Sequence, residues 1–282
     1  MACAVLALPA AAKDAESPAA PETPAGKDAP LPLWEAGLYS IGAWQPAYPG
    51  SDQNLTSSQL LPYAIYRGSI VRVEGGGLGV RALQTPRFEW DVSASGSFGS
   101  SANQVRAREG MQDIGTLVQM GPAFRINLGD LRDPRRDPRL TRLEFPVRAV
   151  FDVYDDFHFK GLTFEPRFSH TAWEGTSTSA VVSASLLYGS RSLNDLFYGV
   201  APVYATPQRP AYEARGGMIS ATLSGYIRHR ITPSLQITFF ANVETLRGSA
   251  NHASPLLIRD EDGGFGVALS WAIWQSDEKG TE

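Results

Sequence analysis

Cysteine is nearly missing from this 282-residue chain: Cys3 is the only one. A single thiol forms neither an internal disulfide nor a cysteine metal site. Lysine is scarce as well. Among 25 basic residues only Lys13, Lys27, Lys160 and Lys279 are not arginine. Arginine is the cation suited to pairing with carboxylates in partly desolvated places, although a GC-rich genome would give the same bias. After the first dozen residues no run of about eighteen apolar residues occurs, which excludes membrane-crossing helices. No basic stripe interleaved with stacking aromatics is present and the formal net charge is -4, so nucleic acid is not an expected partner. Gly-x-Ser-x-Gly, zinc-ligand spacing and phosphate-binding loops are also missing. No cofactor and no metal are expected.

Helical periodicity has almost no place in the chain; a period of two does. In "RLEFPVRAVFDV" the positions Leu143, Phe145, Val147, Ala149, Phe151 and Val153 are all apolar, while Arg142, Glu144, Arg148 and Asp152 fall between them. Side chains of a strand point alternately to opposite faces, so one face is greasy and the other largely ionic. "FEWDVSAS", "MISATLSGYIRHRI", "LQITFFANVETL" and "FGVALSWAIW" repeat the pattern. These strands run roughly nine to fourteen residues, longer than the five or six usual in globular sheets and long enough to cross a bilayer at a tilt. Backbone groups in hydrocarbon must all be paired, so only helices and closed barrels cross. The expected fold class is all-β, an antiparallel transmembrane β-barrel of about 12 strands, with lipid outside and a polar lumen inside.

Residues 1–12 resemble the apolar core and small-residue cleavage site of a signal peptide whose basic start lies upstream; a lipoprotein cysteine at Cys3 is the weaker alternative. Residues 13–32 are rich in Pro, Ala and charge and read as a disordered periplasmic leader. The barrel is expected over 33–274, with a tail at 275–282. Its strands are expected near 33–44, 59–67, 69–74, 77–83, 87–97, 114–127, 140–153, 159–172, 178–189, 217–230, 234–246 and 264–274. Alternate connections are then long and the others short, "LGDLRDPRRDPR" excepted, as in barrels with long outer loops and short periplasmic turns. The glycines in "VRVEGGGLGVRAL" leave open whether that segment is two strands or one bent strand. Trp34, Trp44, Tyr63, Trp173, Tyr188, Trp271 and Trp274 fall near strand ends, where aromatic girdles form; ordinary core aromatics are the alternative.

Several segments match one family. "PAYPGSD" (46–52), "LPYAIYRG" (61–68), "FYGVAP" (197–202), "PAYEARGG" (210–217) and "LRGSANHASPLL" (246–257) resemble, in order and spacing, the MipA/OmpV family of MltA-interacting outer-membrane proteins. The likeness spans nearly all of residues 34–274. The "RDPRRDPR" insert and the "QSDEKGTE" tail depart from it. The resemblance implies an outer-membrane barrel, porin-like in some relatives and in others a scaffold joining a lytic transglycosylase to a peptidoglycan synthase. It supplies no catalytic residues.

The phase of the strands turns Arg72, Glu74, Arg81, Glu89, Asp91, Arg125, Arg142, Glu144, Arg148, Asp152, Glu165, Arg167, Arg228, Arg230 and Glu244 toward the lumen. The two signs are nearly balanced, so pairing between strands is expected; a transverse field that filters solutes is the alternative. In 190–216 the side chains of Phe197, Tyr198, Val200, Val203, Tyr204 and Tyr212 are expected to fold inward as a constriction, or else to meet lipopolysaccharide or a partner. Arg132, Arg135, Arg136 and Arg139 make a candidate periplasmic partner surface. Among His158, His170, His229 and His252, His158 sits close to Asp152, Asp155 and Asp156 in "DVYDDFH", which a solvated turn explains as well as an acid–base pair; no enzyme is expected. The function expected from these readings is a narrow porin-like channel for small polar solutes in the bacterial outer membrane, in contact with its lipid and lipopolysaccharide. The alternative is a scaffold for peptidoglycan enzymes.

Overall fold

The computed structural model describes residues 32–67, 71–74, 77–80, 83–85, 87–97, 100, 102–129 and 140–278, with backbone only for strand residues 66–67, 71–74, 77–80, 83–84, 91, 94 and 97. The leader and signal-like segment, Arg81, and the arginines at 132, 135, 136 and 139 lie outside the described residues. The strands are β1 (Trp34–Pro46), β2 (Asn54–Arg67), β3 (Val71–Glu74), β4 (Gly77–Val80), β5 (Leu83–Gln84), β6 (Phe88–Ser97), β7 (Leu117–Asn127), β8 (Thr141–Asp152), β9 (His158–Phe164), β10 (Arg167–Glu174), β11 (Thr178–Gly189), β12 (Gly217–Thr232), β13 (Leu235–Thr245) and β14 (Glu261–Gln275), with one helix, α1 (Arg191–Tyr198). No described helix is long and apolar enough to cross a membrane.

Neighbours in sequence pair antiparallel, and β1 pairs with β14 from Glu35↔Gln275 to Trp44↔Phe265. β9 and β10 share one position, both lying between β8 and β11. Their break falls at Glu165–Pro166, where proline has no N–H to give the ladder; Glu165 N–H reaches Pro146 O and Pro166 O accepts from Leu186. β4 and β5 share another position: β4 pairs with β3, β5 pairs with β6, and β4 packs along β6. The fourteen described strands therefore occupy twelve positions of one ring, which closes where β4 packs along β6.

Alternation sorts the wall into two faces. Outward stand Phe88, Trp90, Met120, Val147, Leu223, Ile227, Phe239, Val243, Phe265, Trp271 and Trp274, all large, apolar and exposed. Trp34 and Trp44 mark the two rims on β1. Ten residues of strand span about 33 Å, or roughly 25 Å along the barrel axis at a tilt near 40°, the height of the apolar band of outer-membrane barrels. Stacked or tilted pairs Trp44–Phe265, Phe88–Phe124, Trp90–Phe124 and Phe164–Tyr188 add to the girdles. Tyr63 does not belong to them. It faces inward, beside Tyr39, Ile41 and Phe240.

Connections 47–53, 102–116, 153–157, 190–216 and 246–260 gather at one rim, the outer one by their length. The first and last strands meet at the other rim, where Leu33 N–H donates to Glu278 O (2.7 Å) and Ser276 N–H to Trp34 O (2.9 Å).

Candidate functional site: a capped mouth above an ionic belt

Within the ring, one wall carries the charges. Arg125 Nε stands 3.3 Å from Glu144 on the adjacent strand. Glu165 accepts from two sides, Arg148 at 2.8 Å and Arg167 at 2.6 Å, through its two carboxylate oxygens. The strand break at Pro166 is what places Glu165 between two guanidiniums. Arg148 Nε also donates to Ser93 Oγ (2.8 Å), and Asn127 Nδ2 to Glu89 (3.0 Å). These ionic side chains are mostly buried, so partners are needed to offset their desolvation. Asp152, also buried, lies 3.8 Å from Lys160. Arg142 is half-buried in the same wall. On the far side Arg228 lies over the Tyr226 ring (5.1 Å to its centroid), Arg230 donates to Thr176 O (2.9 Å), and Glu244 is buried. For Arg72, Glu74 and Asp91 only the strand backbone is described.

The far side also carries an apolar patch among its polar groups, which include Gln236, Thr238 and Ser270. Tyr39, Ile41, Ala43, Phe240 and Ala268 form a buried apolar cluster with Tyr63 and Tyr226 packed on it. The sequence hid this, because β1 reads apolar on both faces and alternation is silent there. At the periplasmic rim, a pocket between Glu35, Tyr63, Arg230, Ser234 and Gln236 holds about 20 Å³, room for roughly one water.

Above the belt the outer loops close over the mouth. Leu193, Phe197 and Tyr198 of α1 pack in one apolar core with Tyr48, Val105, Ile114, Leu246 and Leu256 from three other loops. That core reaches the wall at Leu55 of β2, Leu117 of β7, Val150 of β8, Leu187 of β11 and Ile219 of β12. Five positions around the ring thus meet in one cluster. Ile219 was expected on the lipid face. A bulge at Leu187/Tyr188 shifts the register, and an extra residue turns the following side chain to the other face; Ile219 is fully buried beneath α1.

Most polar groups in the cap find partners; Arg108 Nε and Ser100 Oγ are among the exceptions. Arg108 donates to Leu196 O (3.2 Å) and Phe197 O (3.1 Å), carbonyls of the last turn of α1, and to Gln112 O. A cation there also complements the negative end of the helix. Burial lowers the pKa of Arg108 and raises that of Tyr48 above the ordinary phenol value, where the Arg108 charge opposes the shift. Tyr48 Oη donates to Leu256 O (2.7 Å). Asn251 joins three segments, donating to Asn194 Oδ1 (2.9 Å) and Arg215 O (2.8 Å) and accepting from Tyr212 Oη and Arg215 N–H.

Of the candidate constriction residues, Phe197 and Tyr198 lie in the cap core, Tyr204 and Tyr212 are packed at its edge, and Val203 stands apart, 81% exposed. Sequence reasoning missed α1, whose signal was present: Leu193, Leu196 and Phe197 repeat at helical spacing. It also passed over Arg108 and Asn251, polar residues for which no alternation pattern speaks. In the 153–157 turn Lys160 takes Asp155 at 2.7 Å, and that hydrogen bond and charge hold the exposed carboxyl below its usual range. His170 and His229 face outward near the periplasmic rim, each against a threonine hydroxyl, Thr141 and Thr178.

The family model described as MltA-interacting protein MipA matches residues 40–273. The chain belongs to that family. With the lipid-facing band and closed ring above, this makes it an outer-membrane β-barrel protein. No curated protein matches the chain. Among solved structures, a NanC porin is similar at 6% identity and a TM-score of 0.41, over 84% of this chain and 100% of its own. A bacterial polysaccharide outer membrane secretin is similar at 10% identity and a TM-score of 0.36, over 85% and 99%.

Proposed function

We propose that this MipA-family barrel is a plugged structural protein of the outer membrane, acting as a scaffold for peptidoglycan enzymes rather than as a standing pore. The observation that carries the reading is the single apolar core that reaches five wall positions and bridges the mouth. The family description, an MltA-interacting protein, supports a protein partner. The periplasmic segment with Arg132, Arg135, Arg136 and Arg139 remains the proposed surface for it, and no catalytic role is assigned. Purified protein in planar bilayers should be silent, and immobilised protein should retain a purified lytic transglycosylase until residues 132–139 are deleted. Retention unaffected by that deletion would remove the surface.

A second reading draws on the ionic belt. A ladder of Arg125, Glu144, Arg148, Glu165 and Arg167 along one wall suits a narrow path for small polar solutes once the cap is displaced. Frequent discrete conductance steps from the unaltered protein would favour this channel and overturn the plugged reading.

A further inference from the structure

β8 and β9 are joined at the outer rim by residues 153–157. The turn is clamped from several sides. Val153 N–H donates to Thr116 O (2.9 Å), Tyr154 N–H to Asp152 Oδ1 (3.1 Å) and His158 N–H to Asp155 O (2.6 Å), while Lys160 holds the Asp155 carboxylate at 2.7 Å. Within it Asp156 and Phe157 both have positive φ, 47° and 56°. A tight hairpin turn demands two such residues in succession, and glycine or asparagine meets the demand freely. Phenylalanine does so only under strain. Among the described residues no other non-glycine has a positive φ.

Little inside the protein offsets that strain. Phe157 is 54% exposed and Tyr154 80%, and neither ring belongs to the cap core. Alternation from Phe159 puts Phe157 on the outward side of β9. Phe159 itself, half-exposed, meets Phe151 edge to face on the lipid side, with ring centroids 5.9 Å apart. Phe151 lies ten residues beyond Thr141 along β8, the height of the apolar band, and so stands at its top. Phe157 is two residues past Phe159, roughly 5 Å along the membrane normal at the usual tilt. The tip therefore continues the lipid-facing wall into the head-group layer of the outer leaflet. Its charge selects among the groups found there. Asp155 and Asp156 are exposed, and the nearby Lys160 is taken up by Asp155 and Asp152. Carboxylates repel a phosphate and accept hydroxyl groups.

We propose that this turn is a contact site for the sugar head group of an outer-leaflet glycolipid. The C–H face of a sugar ring packs on the electron-rich faces of Tyr154 and Phe157, Asp155 and Asp156 accept its hydroxyls, and the acyl chains run down beside Phe151 and Phe159. The strain at Phe157 is what it takes to hold the ring ready for that contact. The inference goes beyond the scaffold and channel readings and depends on neither.

The probe is digalactosyldiacylglycerol, whose head group carries sugar and no phosphate, as about a tenth of the lipid in phosphatidylcholine vesicles holding the full-length protein. Amide exchange at residues 154–158 should slow about fivefold relative to phosphatidylcholine alone, and native mass spectrometry should find the glycolipid retained on the barrel. Tyr154→Ala and Phe157→Gly should each lower that retention about tenfold, whereas Phe239→Ala, an exposed ring of the lipid band on β13, should leave it unchanged. Glycine adopts positive φ freely, so Phe157→Gly should also keep or raise the urea midpoint in detergent while it binds less. Equal protection in phosphatidylcholine alone would overturn the proposal and leave an ordinary interfacial girdle. Equal protection with phosphatidylglycerol in place of the glycolipid would overturn it in favour of a phosphate contact. Retention indifferent to Phe157→Gly, or a lowered midpoint in that variant, would show that the ring serves the fold instead.

Discussion

Emptying the middle of the cap core is the sharpest perturbation the structure offers. Leu193 and Phe197 sit one turn apart on α1, exposed by 2% and 4%, and both face the cluster that joins the loops to the wall. Buried Leu→Ala costs about 2–5 kcal/mol and Phe→Ala about 3–5 kcal/mol. The two share neighbours, so their effects do not add fully, and about 5 kcal/mol is a fair total for Leu193→Ala with Phe197→Ala. If the open cap exposes both side chains, the closed state loses that amount relative to the open one. At about 1.4 kcal/mol per factor of ten, the open fraction rises some three to four decades. The strand ladders are untouched, so the barrel should still show heat-dependent gel mobility. In planar bilayers the unaltered protein should be silent and the double variant should give discrete steps, with faster amide exchange over 191–198. Unchanged exchange there, with unchanged silence, would refute the idea that this core holds the mouth shut. Faster exchange with continued silence would move the seal down to the Tyr39–Ile41–Phe240 cluster.

Arg108→Met should free the last carbonyls of α1 and remove the cation from its C-terminal end, loosening the cap by about 2–4 kcal/mol; exchange over 191–198 rises while barrel melting is unchanged. Glu165→Gln leaves Arg148 and Arg167 without their shared carboxylate in a largely buried site, a loss of about 3–5 kcal/mol, measured as a lower urea midpoint in detergent. The pKa of Tyr48 is raised in the folded state, so its contribution is complete below the unfolded phenol value near 10 and is lost as pH rises beyond it. Cap exchange should accelerate only in strong alkali, and Tyr48→Phe should abolish that alkaline sensitivity. For Asp155 the sign is opposite. Its pKa is lowered by Lys160, so order in the 153–157 turn holds above the unfolded carboxyl value and fades as pH falls through the folded one, which NMR of that turn should show; Lys160→Met should erase the effect.

What the sequence made legible follows from which forces leave a periodic trace. Lipid demands apolar groups at every second position of β6, β8, β12, β13 and β14, and that alternation is what made these strands legible. The ring of twelve positions follows from the same alternation together with loop lengths. β1 gave no such trace, since Tyr39, Ile41 and Ala43 are apolar toward the lumen and Leu38 and Trp44 are apolar toward lipid. β2 was expected from residue 59 and begins at Asn54, because Thr56, Ser58 and their neighbours carry no lipid signature. Ile219 was misassigned for a different reason: a bulge resets the phase, and no residue type announces it.

The cap shows the limit of period-two reasoning from the other direction. Its stability is non-local, made where α1 meets loops more than fifty residues away, through contacts such as Asn251–Asn194 and Ser254–Tyr198. Yet the pieces that build it are the motif segments of the family: "FYGVAP" brings Phe197 and Tyr198, "PAYEARGG" brings Tyr212 and Ala214, "LRGSANHASPLL" brings Leu246, Asn251 and Leu256, and "PAYPGSD" brings Tyr48. Four of the five resembling segments thus lie in the plug, while "LPYAIYRG" brings Leu61–Arg67 of the wall strand β2. A wall needs only alternation, which many sequences satisfy, whereas a plug needs particular side chains to meet. On the proposed reading, the particular side chains that meet in this cap are the physical reason to weigh a sealed scaffold ahead of an open pore.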